Sequence, residues 1–213
     1  MIIKDIMITD VKVSSPHATL KDALQVMVSN EIRHLPIVND ENEIIGIISD
    51  RDIKDASPSI FDNKENEFLN KQIEDIMIKD VLTALPNDFV EDAAKYMTDN
   101  QISCLPIEDN GKLIGIITET DLLFTLVKLT GADLPSSRLE IEVPNLSGML
   151  SDVATIIKSH NVNIHSVLVY PSSKNNKKVL VFRLQVMDVR QITNTLKEKG
   201  YTILWPSKME RNI

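Results

Sequence analysis

Cysteine is almost missing from this chain: Cys104 stands alone, so no internal disulfide and no cysteine-rich metal site can form within it. That usage fits a reducing compartment. Glycine is scarce as well, with 6 in 213 residues. No Gly-rich phosphate loop, no Gly-x-Ser-x-Gly elbow and no His-Glu-x-x-His pair occurs, so the chemistries built on those motifs are not expected and the chain reads as non-catalytic. No run approaches the roughly 18 uninterrupted apolar residues of a membrane span. Met1-Ile2-Ile3-Lys4-Asp5 lacks the layout of a secretory leader, and a cytoplasmic location is the expectation. Positive charge is in deficit: 23 Lys and Arg stand against 31 Asp and Glu, a net charge of -8. Nothing there attracts nucleic acid or anionic lipid in general.

What is present is apolar material, at 43% of residues, enough for two well-buried compact units. The chain also contains itself twice. Residues 5–38 lie on 75–108 without a gap, so that Ile6, Met7, Pro16, Asp22, Ala23, Met27 and Leu35-Pro36-Ile37 meet Ile76, Met77, Pro86, Asp92, Ala93, Met97 and Leu105-Pro106-Ile107. After one deleted turn residue, Ile45-Gly46-Ile47-Ile48 meets Ile114-Gly115-Ile116-Ile117, and Asp52 meets Asp121.

Within each copy the hydrophobic period changes in the same order. Leu20, Ala23, Leu24 and Met27, like Val90, Ala93, Ala94 and Met97, fall on one face of a helix. Leu35 to Val38 and Ile44 to Ile48 flank the polar Asn39-Asp40-Glu41-Asn42 and read as a hairpin, repeated around Asp109-Asn110-Gly111. A final helix is predicted from about Asp50 and again from about Glu119. Copies this short bury little core alone, so they are expected to pair as one pseudo-symmetric unit. Between them Ser57 to Lys71, with Ile60, Phe61, Phe68 and Leu69 as its apolar points, reads as a mobile connection or a short docked helix.

Gly131, Pro135 and their neighbours end the last helix, and a new pattern begins. It predicts a strand at Leu139 to Val143, a helix from about Gly148, strands at Ile164 to Val169 and Val179 to Val186, a helix from about Asp188 to Lys199, and a strand at Tyr201 to Trp205. This β-α-β-β-α-β order is ferredoxin-like. The predicted class is mixed α/β (α+β), with repeats over 1–60 and 71–130 and a further domain over 138–213.

The duplicated unit resembles the CBS domain, and the pair resembles a Bateman module. Ser15-Pro16-His17-Ala18-Thr19-Leu20, the Leu-Pro-Ile strand, and Gly46-Ile47-Ile48-Ser49-Asp50-Arg51-Asp52 with its counterpart Gly115-Ile116-Ile117-Thr118-Glu119-Thr120-Asp121 carry the likeness. The resemblance implies a small adenosine-containing ligand, an adenine nucleotide or S-adenosylmethionine, as a regulatory ligand rather than a required cofactor. Asp52 or Asp121 would take the ribose hydroxyls, and Ser49 or Thr118 with helix N-terminal amides would face phosphate. Val13, Ser14, Thr83 and Ala84 would hold the adenine from strand backbone; Leu35-Pro36 and Leu105-Pro106 would wall it. Arg51 would neutralise phosphate, and with Thr120 and Glu119 in the equivalent place the first site is expected to tolerate polyphosphate better. The third segment resembles an ACT domain, with Leu146-Ser147-Gly148 where that family carries Asp-x-Pro-Gly. That likeness implies an amino-acid site at Asn145, Leu146, Gly148, Asn163 and Ile164. The whole order is similar to the acetoin-utilisation accessory family, and implies a homodimer that regulates a metabolic enzyme partner.

Plainer readings stand beside these. Ser49 and Asp52 suit a helix cap that needs no ligand. His34, placed with the adenine-ligand residues because it lies beside the cleft, equally suits packing or hydrogen bonding there; Cys104 suits a small buried apolar position rather than a nucleophile, and His160 with His165 lacks the companions of a metal site. Met7, Met27, Met77 and Met97 recur with the repeat and suit core filling. A ligand-free dimerisation or interaction module, or an amino-acid sensor acting through the ACT segment, is the alternative function.

Overall fold

The structure, a computed structural model, describes residues 1–58 and 65–207. The chain divides into two compact units, Met1–Leu123 and Phe124–Ile213. In the first copy, helix α1 (Leu20–Ser29) starts at a capping box. Thr19 Oγ1 accepts from the Asp22 N–H, and the Asp22 carboxylate accepts from the Thr19 N–H at 3.1 Å. Its buried face is Leu20, Ala23 and Met27. The hairpin β1 (His34–Val38) and β2 (Ile44–Ser49) follows, and then the two-turn helix α2 (Asp50–Ala56). A short helix α3 (Glu65–Leu69) docks Phe68 into the first core, as one of the two readings of that connection anticipates; Ile60 and Phe61 lie outside the described residues. The second copy repeats the order as α4 (Val90–Asn100), β3 (Cys104–Asp109), β4 (Lys112–Thr118) and α5 (Glu119–Thr130). Both hairpins carry a register shift at the same place, between Ile37 and Val38 and between Ile107 and Glu108.

One expectation is corrected. Val13-Ser14 and Thr83-Ala84 do not form strands; each pair contributes one isolated parallel bridge, Ser14 to Ile37 and Ala84 to Ile107. The prolines Pro16 and Pro86 follow two residues later, and proline restricts its predecessor and lacks the N–H a longer ladder would need.

The two copies are joined by exchange. Ile3 belongs to the core of the second copy, with Ala93, Met97, Leu105, Ile107 and Ile117; Ile73 belongs to that of the first, with Leu20, Ala23, Leu35, Ile37 and Ile48. Ile8 bridges Ile116 and Ile78 bridges Ile47. A Cβ on Gly46 would stand 2.4 Å from Met77 Sδ, and one on Gly115 would stand 2.7 Å from Met7 Sδ. Each glycine is the gap through which the other copy's methionine enters.

In the second unit, strands β5 (Ser137–Pro144), β6 (Ile164–Pro171), β7 (Lys177–Leu184) and β8 (Thr202–Trp205) form one sheet in the order β6-β7-β5-β8, every neighbour antiparallel. Helices α6 (Met149–Ser159) and α7 (Arg190–Glu198) bury Val153, Ile156, Ile157, Ile192 and Leu196 against Leu139, Ile141, Val143, Leu180, Phe182 and Leu184. This is the ferredoxin-like arrangement anticipated from the pattern. The third strand stops at Leu184 rather than Val186, and α7 starts after Asp188, whose carboxylate accepts from the Arg190 N–H at 2.9 Å.

Candidate functional site

Two clefts open between the copies, related by the same repeat that relates the sequences. The first, of about 240 Å³, takes Ser49, Arg51 and Asp52 from the first copy and Ile78, Asp80, Val81, Leu82, Ile102, Ser103, Cys104 and Pro106 from the second. The other, of about 270 Å³, takes Thr118, Thr120 and Asp121 from the second copy and Ile8, Asp10, Val11, Lys12, Ile32 and Arg33 from the first. His34 lines both.

Each aspartate reaches its cleft because it sits in the first turn of a helix that starts where a strand ends. Asp52 Oδ2 accepts from the Ser49 N–H and O–H, both at 2.7 Å, while the Asp52 N–H donates to Ser49 Oγ at 3.2 Å. Asp121 Oδ2 likewise accepts from the Thr118 N–H at 2.8 Å and O–H at 2.6 Å. The capping reading is therefore realised. It does not displace the ligand reading at Asp52, because the cap uses Oδ2 and leaves Oδ1 outside it. It does remove one part of the expectation: the N–H of residue 52 is spent on Ser49, and α2 has only seven residues, so phosphate finds little helix N-terminus there.

Of the residues named from sequence, His34, Ser49, Arg51, Asp52 and Pro106 meet in the first cleft, and His34, Thr118 and Asp121 in the second. Val13, Ser14, Thr83 and Ala84 are not among the lining residues of either cleft, which take Val11-Lys12 and Val81-Leu82 just before them instead. Leu35, Pro36 and Leu105 are not among the lining residues of either cleft; Leu35 and Leu105 are fully buried in the cores of their own copies. The charge comparison also changes. The Asp121 cleft holds Lys12 and Arg33 from the first copy, where the Asp52 cleft has Leu82 and Ser103, so cations serve both. The residues sequence reasoning missed come from the segment before the first bridge and the turn before the hairpin. Asp10, Val11 and Ile32, identical to Asp80, Val81 and Ile102, were visible as matched pairs in the duplication.

Burial pushes the His34 imidazole below its ordinary value, Arg33 adds to that, and Asp50, Asp52 and Glu119 pull the other way. Its Nε2 lies 2.8 Å from Ser103 Oγ. Cys104 is buried, and burial, then the charges of Asp52 and Glu119, push its thiol up to about 12. It is a neutral wall and not a nucleophile.

In the second unit the proposed amino-acid residues separate. Asn163 and Ile164 line an open cavity of about 410 Å³ with Ala154, Lys158, Asn161 and Val162. Asn145, Leu146 and Gly148 are not part of it. The Asn145 N–H donates to the Asn176 carbonyl, Leu146 is exposed, and Gly148 holds φ +92 before α6, a conformation that favours glycine. His160 Nε2 meets Thr195 Oγ1 at 3.1 Å. Among the described residues no group of three or more His, Cys, Asp or Glu side chains could hold a metal ion, and no helix is long and apolar enough to cross a membrane.

The profile of the CBS domain matches residues 3–59 and 73–128, more than half of the chain. The chain belongs to the CBS-domain family. The ACT-domain profile matches residues 137–201 behind the CBS pair. The solved CBS domain pair of protein MJ0100, in complex with 5′-methylthioadenosine and S-adenosyl-L-methionine, is 29% identical with a TM-score of 0.52, covering 59% of this chain and 95% of that one. A proposed acetoin utilization protein, AcuB, from Vibrio cholerae is 29% identical with a TM-score of 0.54, covering 63% and 98%. A homoserine O-acetyltransferase of Methanococcus vannielii is 37% identical over 126 residues, 59% of this chain. The chain spans 25% of that enzyme's length, so the likeness is to its CBS segment.

Proposed function

We propose that this CBS pair senses an adenosine-containing ligand, an adenine nucleotide or an S-adenosylmethionine-type compound, and that the chain regulates a partner rather than catalysing a reaction. The observation that carries this reading is the paired geometry: in each cleft an aspartate locked by its own helix cap faces apolar and polar side chains of the other copy. A carboxylate so held loses little freedom on binding, and accepts from ribose hydroxyls in a charge-assisted bond of about 1.5–3 kcal/mol. The ligands of MJ0100 support the class. A ligand that prefers one arrangement of the two copies shifts that equilibrium, and a partner enzyme reads the shift. Acetoin utilisation is the metabolic setting we infer, supported by the likeness to the Vibrio cholerae protein.

Isothermal titration calorimetry of nucleotide-free protein with AMP, ATP and S-adenosylmethionine tests the reading. Asp52→Ala or Asp121→Ala is expected to weaken binding in its own cleft by about tenfold to a hundredfold. Absence of heat with all three in folded protein would instead leave the caps as the whole role of the aspartates, and favour an interaction module.

A further inference from the structure

His34 is the only residue common to the linings of the two clefts among the described residues. Its Nε2 is committed to Ser103 Oγ, which lines the Asp52 cleft alone, while Nδ1 has no hydrogen-bond partner among the described residues. The duplication supplies an internal control. The counterparts of His34 and Ser103 are Cys104 and Arg33, which cannot form the same bond, and each lines only one cleft. A symmetric pair would carry two such links; this one carries a single link, pointing one way.

The chemistry of that link is restrictive. A serine hydroxyl has one proton and a neutral imidazole has one N–H, so each fixes the other's role. With the Asp52 cleft empty, Ser103 can donate to Nε2, and Nδ1 then carries the proton. When Ser103 turns its proton to an acceptor on a ligand, such as a phosphate oxygen, it must accept from Nε2–H, and Nδ1 becomes the acceptor. One proton leaves Nδ1 for water and one arrives at Nε2 from water, so the total is unchanged.

We propose that the His34–Ser103 pair couples the two clefts: the ligand in the Asp52 cleft selects the imidazole tautomer, and the tautomer decides whether His34 offers a donor or an acceptor to the Asp121 cleft. Burial, which disfavours the imidazolium, keeps the choice between two neutral forms. The coupling rests on the adenosine-ligand reading of the clefts.

The test compares two-site AMP isotherms of the wild-type chain with Asp52→Ala, in which the Asp121 cleft fills alone. The affinity of that cleft is expected to differ by about fivefold or more between the two proteins. In His34→Cys, which installs the other copy's own residue, and in Ser103→Ala, the same ratio, measured with and without Asp52→Ala, falls to unity whatever the individual constants become. Histidine ¹⁵N shifts provide a readout that a packing role would not move. In Asp121→Ala, AMP is expected to convert His34 from the Nδ1–H to the Nε2–H pattern. A wild-type isotherm that is the sum of two independent sites, a stoichiometry of one AMP per chain, or His34 shifts that AMP leaves unchanged overturns the coupling while the ligand reading stands. Binding that neither aspartate substitution weakens overturns both.

Discussion

At Asp52 one oxygen closes the N-terminus of α2 and the other lies outside the cap, so stability and binding can be separated by changing the residue on the far side of the bond. Ser49→Ala removes the hydroxyl that both accepts from the Asp52 N–H and donates to Oδ2, and leaves the carboxylate in place. A loss of about 1 kcal/mol is expected in urea denaturation, within the range of about 0.5–2 for lost N-caps. AMP affinity in that cleft should fall far less than in Asp52→Ala. Equal losses in the two variants would mean that the carboxylate acts only through the cap.

At the level of elements, β5 carries a further locked carboxylate. Glu142, with a side chain 3% exposed, accepts from Ser172 Oγ at 2.8 Å, Lys174 Nζ at 3.0 Å and Lys177 Nζ at 2.9 Å, which fastens the β6–β7 turn to β5. These bonds, Lys177 first, hold its carboxyl well down, at about 2 against an ordinary 4.5. A folded-state value below the unfolded one stabilises fully above the unfolded value and is lost as pH falls through the folded one. Stability is therefore expected to decline between pH 4.5 and about 2, and Glu142→Gln should flatten that part of a thermal-denaturation profile. This lock was not legible in the sequence, because its partners lie about 30 residues away and only strand pairing brings them to one spot. The helices and hairpins were legible, since Leu20, Ala23 and Met27 or Ile44 to Ile48 declare their period locally. In the same way Asp52 and Asp121 declared themselves through Ser/Thr-x-x-Asp. The opposing walls, Asp80 to Leu82 and Asp10 to Lys12, showed only as repeated Asp-Val pairs with no sign of a site, because each is supplied to the cleft by the other copy.

Across the first unit the exchange makes the two copies one cooperative body. Ile3, fully buried, fills the second core and not the first. Ile3→Ala is expected to cost about 2–5 kcal/mol, as large-to-small core changes do. In hydrogen exchange the loss of protection should fall first on Leu105, Ile107 and Ile117, a hundred residues away in sequence, with α1 affected later. Early loss in α1 would instead show that the cores are not exchanged. The exchange also sets an order on synthesis. Chains often fold domain by domain as they leave the ribosome, yet here the first core needs Ile73, which emerges after the whole first repeat has been made, and the second needs Ile3, which is made before any of that second repeat. Neither repeat can be completed on its own schedule, so the nascent chain carries Ile3 unburied until the last strand of the second repeat is translated.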